Sequence, residues 1–435
     1  MAMSFSINTW SPALSVGVRL ALVAIVTSLT LGPQAGNAQT AATTPEDAKS
    51  GAIYGRVSTE DGTVYQGRLR WGADEEAYWG EYFNGRREGN PWAEVAPEGA
   101  LRFNEPVRLL GLSLGNIDRR VRLDRPFMAR FGDIARIDTR RTEFRVTLKS
   151  GSVHDMDRFE SDDLADGVQI WDESGKSVYL DEWSIRSIEF LETPVGTKAP
   201  ERLYGSVTTR LGSYIGYLRW NREQGSYADS IEGSSGGRYL TVKFNDILSI
   251  ERDAQDRARI ALTDGDVMLI EGNTERGFAP RGVYVYDSRY GRVSAAWDEI
   301  LSVRLGTVGT GPGYDDFPPG LELTGSVRTI QGEHLTGRIV YDLDESETTE
   351  TLDAPLRGLD FSIPFGLIRS INLEEGQSLS SAHANVELHS GEVLQLERAG
   401  DLADSTAGVL VFEKGRTVPH HVPFSVIAEL TFAPR

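Results

Sequence analysis

A tripled pattern of glycine-marked hairpins constrains this chain more than any other feature. Tyr54-Gly-Arg-Val57 returns as Tyr204-Gly-Ser-Val207 and Thr324-Gly-Ser-Val327. Each is followed by a second signature: Gly67-Arg-Leu-Arg-Trp71, Gly216-Tyr-Leu-Arg-Trp220 and Gly337-Arg-Ile-Val-Tyr341. A third follows in Phe131-Gly-Asp-Ile134, Phe244-Asn-Asp-Ile247 and Phe365-Gly-Leu-Ile368. Self-similarity at a fixed period identifies a repeat architecture before any local assignment is made.

Each repeat is itself double. Its second half opens with Val146-Thr-Leu-Lys-Ser-Gly151, Ile260-Ala-Leu-Thr-Asp-Gly265 or Val386-Glu-Leu-His-Ser-Gly391. It closes with Ile185-Arg-Ser-Ile188, Ile300-Leu-Ser-Val303 or Ile427-Ala-Glu-Leu430, which are like the closings of the first halves. The chain therefore divides into six related units of about 50 residues, paired into three modules. The expected modules are 51–191, 202–304 and 321–435. Pro/Gly-rich linkers are expected at 192–201 and 305–320. A length of 435 residues agrees with three domains.

Apolar and polar residues alternate in short runs bounded by glycine, as in Val146-Thr-Leu-Lys and Val283-Tyr-Val-Tyr286. This is the period of half-buried strands. No helical period follows the N-terminal apolar run. The fold class is all-β, with about five short strands per unit. A unit this small has a marginal core alone, so pairing within modules is expected, with each unit a small barrel or a barrel-like sheet that hides its edges. The modules would then form a semi-rigid rod.

The first 18 residues carry no charged side chain; Arg19 then precedes an apolar run from Leu20 to Leu31. Gly36-Asn37-Ala38 supplies small residues where a signal peptidase reads. Residues 1–38 are expected to be a secretory signal peptide, leaving a flexible segment 39–50. The apolar run is short of the roughly 20 residues that span a bilayer, and no transmembrane span is expected after it. The product would be periplasmic or extracellular. The absence of cysteine excludes disulfides, thiolate metal sites and a lipidated N-terminal cysteine. A net charge of −19 argues against nucleic acid or an anionic membrane as partner.

The stretch Asp61-Gly62-Thr-Val-Tyr-Gln-Gly67-Arg-Leu69 resembles the first motif of Sm-like proteins: Asp-Gly, four residues, then Gly-x-Leu. Gly332, Gly337 and Ile339 keep this spacing, and Gly212 to Gly216 is one residue shorter. The resemblance implies SH3-like or Sm-like barrels. RNA binding by Sm proteins also uses an asparagine after the bent strand, in a Met-Asn pair that has no counterpart here.

Three features are candidates for function. The first is an aromatic-acidic segment, Trp71, Glu75, Tyr78 and Trp79, echoed by Trp220 and Tyr227 and by Tyr341-Asp-Leu-Asp344-Glu345-Ser-Glu347. It either presents aromatic faces and carboxylates to a ligand or caps the barrel cores. The second is an insertion near 85–120 containing Trp92, which either carries contacts to a partner or covers a sheet edge. The third is a basic island over 119–145, with nine arginines including Arg119, Arg120, Arg122 and Arg125 against four acids. It suits an anionic polymer or an acidic protein, or else pairs with neighbouring acids.

Six histidines show no metal-binding spacing, and no nucleophile elbow or phosphate loop occurs. Neither cofactor nor metal is expected. The expected function is non-enzymatic protein binding or scaffolding at the cell envelope. The alternative is binding of a carbohydrate or anionic envelope polymer. A carboxylate-based glycan hydrolase is the minor alternative.

Overall fold

The computed structural model describes residues 51–72, 75–87, 89–109, 112–120, 125–158, 162–272, 278, 280–307, 311–373 and 383–434; for 98–99, 102–109, 112–120, 162 and 164 it describes the backbone alone. The expected signal peptide and the segment 39–50 lie outside the described residues.

The fold is all-β, as the alternation predicts. The first module contains β1 (Tyr54–Thr59), β2 (Val64–Trp71), β3 (Tyr82–Arg86), β4 (Arg102–Leu109), β5 (Leu112–Arg120), β6 (Pro126–Arg130), β7 (Ile134–Thr139), β8 (Glu143–Leu148), β9 (Val153–Asp157), β10 (Val168–Trp171), β11 (Ser177–Leu180) and β12 (Ile185–Phe190). A short helix, α1 (Pro91–Val95), lies in the insertion, and α2 (Asp162–Ala165) precedes β10. The second module runs β13 (Tyr204–Thr209), β14 (Ser213–Trp220), β15 (Ser230–Ser235), β16 (Arg238–Lys243), β17 (Ile247–Ala254), β18 (Arg257–Leu262), β19 (Val267–Glu271), β20 (Gly282–Asp287), β21 (Gly291–Ala296) and β22 (Ile300–Gly306). The third runs β23 (Thr324–Thr329), β24 (His334–Tyr341), β25 (Thr351–Leu356), β26 (Leu359–Pro364), β27 (Ile368–Asn372), β28 (His383–Leu388), β29 (Val393–Glu397), β30 (Val409–Phe412), β31 (His420–Val422) and β32 (Ile427–Phe432).

The two halves of a module are interleaved rather than side by side. In the first module the order is β11-β10-β2-β1-β12-β7-β8-β9. The opening hairpin β1-β2 of the first half is thus flanked by β12 and β10 of the second. The third module has the same order, β31-β30-β24-β23-β32-β27-β28-β29. In the second module the exchange includes the other hairpin, since β15 pairs with β19 through Ser234 and Glu271. This corrects the expectation of closed barrels. Among the described residues no ladder closes on itself, because the opening hairpin of each first half pairs with strands of the second half. Interleaving merges two marginal cores into one.

The glycine signatures mark where strands cross closely. Gly55 pairs with Gly67, Gly205 with Gly216 and Gly325 with Gly337. A Cβ on Gly67, Gly216 or Gly337 would lie 1.9, 2.0 or 2.2 Å from the carbonyl oxygen of Trp171, Tyr286 or Phe412. The backbone itself occupies the space a side chain would need.

The modules are not strung as a rod. The second and third share one 12-stranded sheet through β21 and β26, with Val293 opposite Phe361 and Ala295 opposite Leu359. Tyr214 and Tyr290 of the second module pack edge-on against Phe361 of the third, at 5.9 and 6.0 Å. The segment expected as a linker at 305–320 packs into the first module. Its Phe317 is buried against Gly132, and the Tyr314 hydroxyl donates to the Ile134 carbonyl at 2.9 Å. Lys149 lies 3.3 Å from the centre of the Tyr314 ring and donates to the Phe317 carbonyl at 3.1 Å.

Candidate functional site

The aromatic residues singled out by repetition are mostly core. Trp71 is 1% exposed, packs against Phe83 and Phe131 at 5.3 and 5.6 Å, and donates its indole N–H to the Asp163 carbonyl. Trp220 packs against Phe244 and Trp297 at 6.1 and 5.7 Å. The buried Tyr78 hydroxyl lies 2.6 Å from both the Tyr54 and Leu191 carbonyl oxygens. The Tyr227 hydroxyl meets the Tyr204 and Gly306 carbonyls in the same way. Both tyrosines tie the start of a module's first strand to the end of its last. Trp79 is half-buried between Arg130 and Phe317.

The acidic turns and the arginines meet within the chain. In the first module, Glu81 accepts the Ala77 N–H at 2.6 Å and the Glu76 N–H, while its other oxygen faces Arg202 of the second module at 3.4 Å. Glu75 pairs with Arg219 of the second module at 3.2 Å. In the third module, Glu350 accepts the Ser346 and Glu347 N–H groups at 2.5 and 2.9 Å, while its other oxygen takes Arg87 of the first module at 2.7 Å. Arg87 also pairs with Asp344, and Arg125 with Asp342 at 3.2 Å. The same device joins the first module to both others: a carboxylate caps its own turn and holds an arginine from a neighbouring module.

The insertion docks on that third-module turn. Asn90 caps α1 and donates to the Leu343 carbonyl at 2.8 Å. Trp92 packs against Phe412 at 6.1 Å, with the Arg338 guanidinium 5.1 Å from its ring centre. Asp342 and Leu343 have φ of 47° and 56°, a left-handed bend that brings Leu343 to the buried cluster beside Trp92. Thus Glu75, Trp92 and Arg125 are engaged inside the molecule. Arg119 and Arg120 lie on β5 opposite Phe103 and Arg102. Arg122 lies outside the described residues. Elsewhere in the basic island, Arg130 pairs with Asp133, Arg136 with Asp138 and Arg145 with Asp155, at 2.6 to 2.7 Å.

These joints are electrostatically costly. Burial, with Glu81 and Asp163 nearby, pushes the Glu75 carboxyl up to about 9. Burial pushes Glu81 up to about 7 against the pull of Arg202, and Asp344 up to about 6 against that of Arg87. Desolvation outweighs the facing arginine at Glu81 and Asp344.

A groove of about 510 Å³ opens beside this framework, and no sequence signature pointed to it. Tyr54, Arg68 and Trp171 form one part of its lining, and Pro194, Val195 and Lys198 another. The Arg68 guanidinium stacks 3.8 Å from the Trp171 ring centre and pairs with Glu76 at 2.6 Å. Asp172, at the rim, accepts from the Ser174 and Lys176 N–H groups at 2.9 and 3.0 Å and so shapes its own turn. The available signal was the pair Trp171-Asp172 ending a hairpin strand, beside a segment that reads only as linker. Among the described residues, no group of three or more acidic, histidine or cysteine side chains is placed to hold a metal ion.

Compared with known proteins, the chain matches no family model, no curated protein and no solved structure. The fold and site define an all-β protein of interleaved sheets, with carboxyl–arginine joints between its modules and a groove between the first module and the segment that follows it.

Proposed function

We propose that this is an exported, non-enzymatic protein of the cell envelope that binds or scaffolds a protein partner through the groove of the first module. The observation that carries this reading is the Trp171–Arg68 stack at 3.8 Å in a groove of about 510 Å³. Aromatic rings and arginines are the side chains that anchor protein interfaces. The groove stands on a braced framework, so little ordering is required on binding. The joint carboxylates Glu75, Glu81, Asp344 and Glu350 do not line the groove.

A second reading, binding of an envelope polysaccharide, is favoured by the same pair, since an indole face stacks on sugar rings and a guanidinium binds acidic groups. The experiment is photo-crosslinking in the native envelope from a probe placed at Lys198. One dominant protein adduct, lost on Trp171→Ala at unchanged melting temperature, supports the protein-binding reading. Polymer adducts without protein replace it with the second. No adduct of either kind overturns both. Export is checked by the intact mass of the released chain, expected to begin at Gln39.

A further inference from the structure

We propose that copies of this chain associate head to tail, β11 of one pairing with β16 of the next. The molecule contains the template for this joint. Where the second module meets the third, β21 pairs antiparallel with β26: Arg292 opposite Ser362, Val293 opposite Phe361, Ser294 opposite Asp360 and Ala295 opposite Leu359. By position in the repeat, the counterpart of β21 in the first module is β11. The counterpart of β26 in the second module is β16. β11 ends the first module's ladder, and β16 ends the 12-stranded one. Each half of the joint is therefore present, once, at a sheet edge without a partner strand among the described residues. The remaining counterparts are β31 and β6. β31 has three residues, and β6 buries Phe127, Ala129 and Arg130 inside the molecule.

The hairpin registers carry the template across. Val168 pairs with Leu180 and Ile170 with Val178, as Val283 pairs with Ala295 and Val285 with Val293. Likewise Gly233 pairs with Leu240, as Ala354 pairs with Phe361. In the equivalent joint Val178 meets Leu240 on the core side, and both are partly buried against their own cores. On the outer side Tyr179 meets Tyr239. These rings are 57% and 51% exposed, among the large hydrophobic side chains most open to solvent. Directly opposed aromatic pairs are among the stabilising cross-strand contacts. A sheet edge that carries such exposed rings is a template for strand addition.

Charge selects the head-to-tail arrangement. β16 carries Arg238 and Lys243 and no acid. Two copies of β16 paired antiparallel would oppose those cations. Against β11, Arg238 falls opposite Leu180, beside Asp181 and Glu182. Such a heterologous contact closes into a ring or continues as a filament. The inference does not depend on the groove reading, because it uses a different surface.

The test is sedimentation velocity on the purified chain over a concentration series, alongside Tyr179→Lys and Tyr239→Lys. The wild type is expected to grow in mass with concentration. Each variant alone is expected to weaken association by roughly tenfold or more, at unchanged melting temperature. Mixed one to one, the variants are expected to form dimers and nothing larger, because each retains one intact edge and lends it to the other. A wild type that stays monomeric, a single variant that still assembles, or a mixture that stays monomeric would overturn the proposal. The cysteine-free sequence allows a second readout: the Tyr179→Cys/Tyr239→Cys double variant should form a ladder of disulfide-linked oligomers on oxidation, while a monomeric product would count against the joint.

Discussion

Arg87 of the first module holds Glu350 of the third at 2.7 Å across 263 residues of sequence. Its other terminal nitrogen pairs with Asp344, and its side chain is only 12% exposed. Removing the guanidinium strands two carboxylates in a low-dielectric joint. Arg87→Ala is therefore expected to cost about 3–5 kcal/mol, measured by urea denaturation. In a double-mutant cycle, Arg87→Ala and Glu350→Gln should be far from additive. Additive losses would mean that the pair does not hold the joint.

Phe317 is buried against the first module although it belongs to a Pro/Gly-rich connection. A Cβ on Gly132 would fall 2.5 Å from its ring. Phe317→Ala should cost about 3–5 kcal/mol through the cavity left behind, and Gly132→Ala about 1–3 kcal/mol through overpacking. Combined, they should cost less than their sum, because the small residue at 317 makes room for the methyl group. Thermal melts of the three variants decide this.

Gly216→Ala should lower the melting temperature clearly, since its Cβ would sit 2.0 Å from the Tyr286 carbonyl oxygen. The expected cost is about 1–3 kcal/mol or more. Gly306→Ala is the control: a Cβ there meets nothing within 4 Å, and its φ is not left-handed. That change should be neutral or stabilising by up to about 1 kcal/mol. Equal effects at the two positions would refute the close strand crossing.

Stability should fall as pH rises from 6.5 to 8. Glu75 and Glu81 are held above their ordinary carboxyl range, at about 9 and about 7, chiefly by burial. In the folded state they keep protons that the unfolded chain has already released. Their contribution is greatest at low pH and is lost as pH climbs toward those folded values. His154, lowered to about 4 by burial with Arg87 nearby, has the opposite sign, but its window closes at its ordinary value of 6.5. Lys149, lowered to about 8 by burial, acts above that pH. Urea midpoints at pH 6.5, 7.25 and 8 should decline in the wild type and decline less in Glu81→Gln. A flat or rising wild-type series would contradict the assignment.

Much of the local structure was legible in the sequence. Hairpins are set by neighbours: Val146-Thr-Leu-Lys alternates, Ser150-Gly151 turns, and β8 and β9 form there. The glycine signatures, read in the sequence only as marks of the repeat, fall where the structure brings backbone against backbone at Gly67, Gly216 and Gly337, where only glycine fits. Trp71 and Trp220 were conspicuous for the same reason that every module needs a core, so repetition alone did not separate packing from binding.

What remained for tertiary structure was the choice of partner. Alternation says which face of a strand is buried, not which strand lies beside it. The exchange of β1-β2 between halves left no trace in the pattern, nor did the sharing of a sheet by β21 and β26. Charge behaves similarly. Arg87, Arg125 and the acids of the third module look like free surface charge when counted along the chain. Only folding brings Trp92, Arg87 and Arg125 onto Asp342, Asp344 and Glu350, and only burial there raises the cost of leaving them unpaired. Chain neighbours set secondary structure through short-range sterics, whereas desolvation depends on which distant segments close over a group.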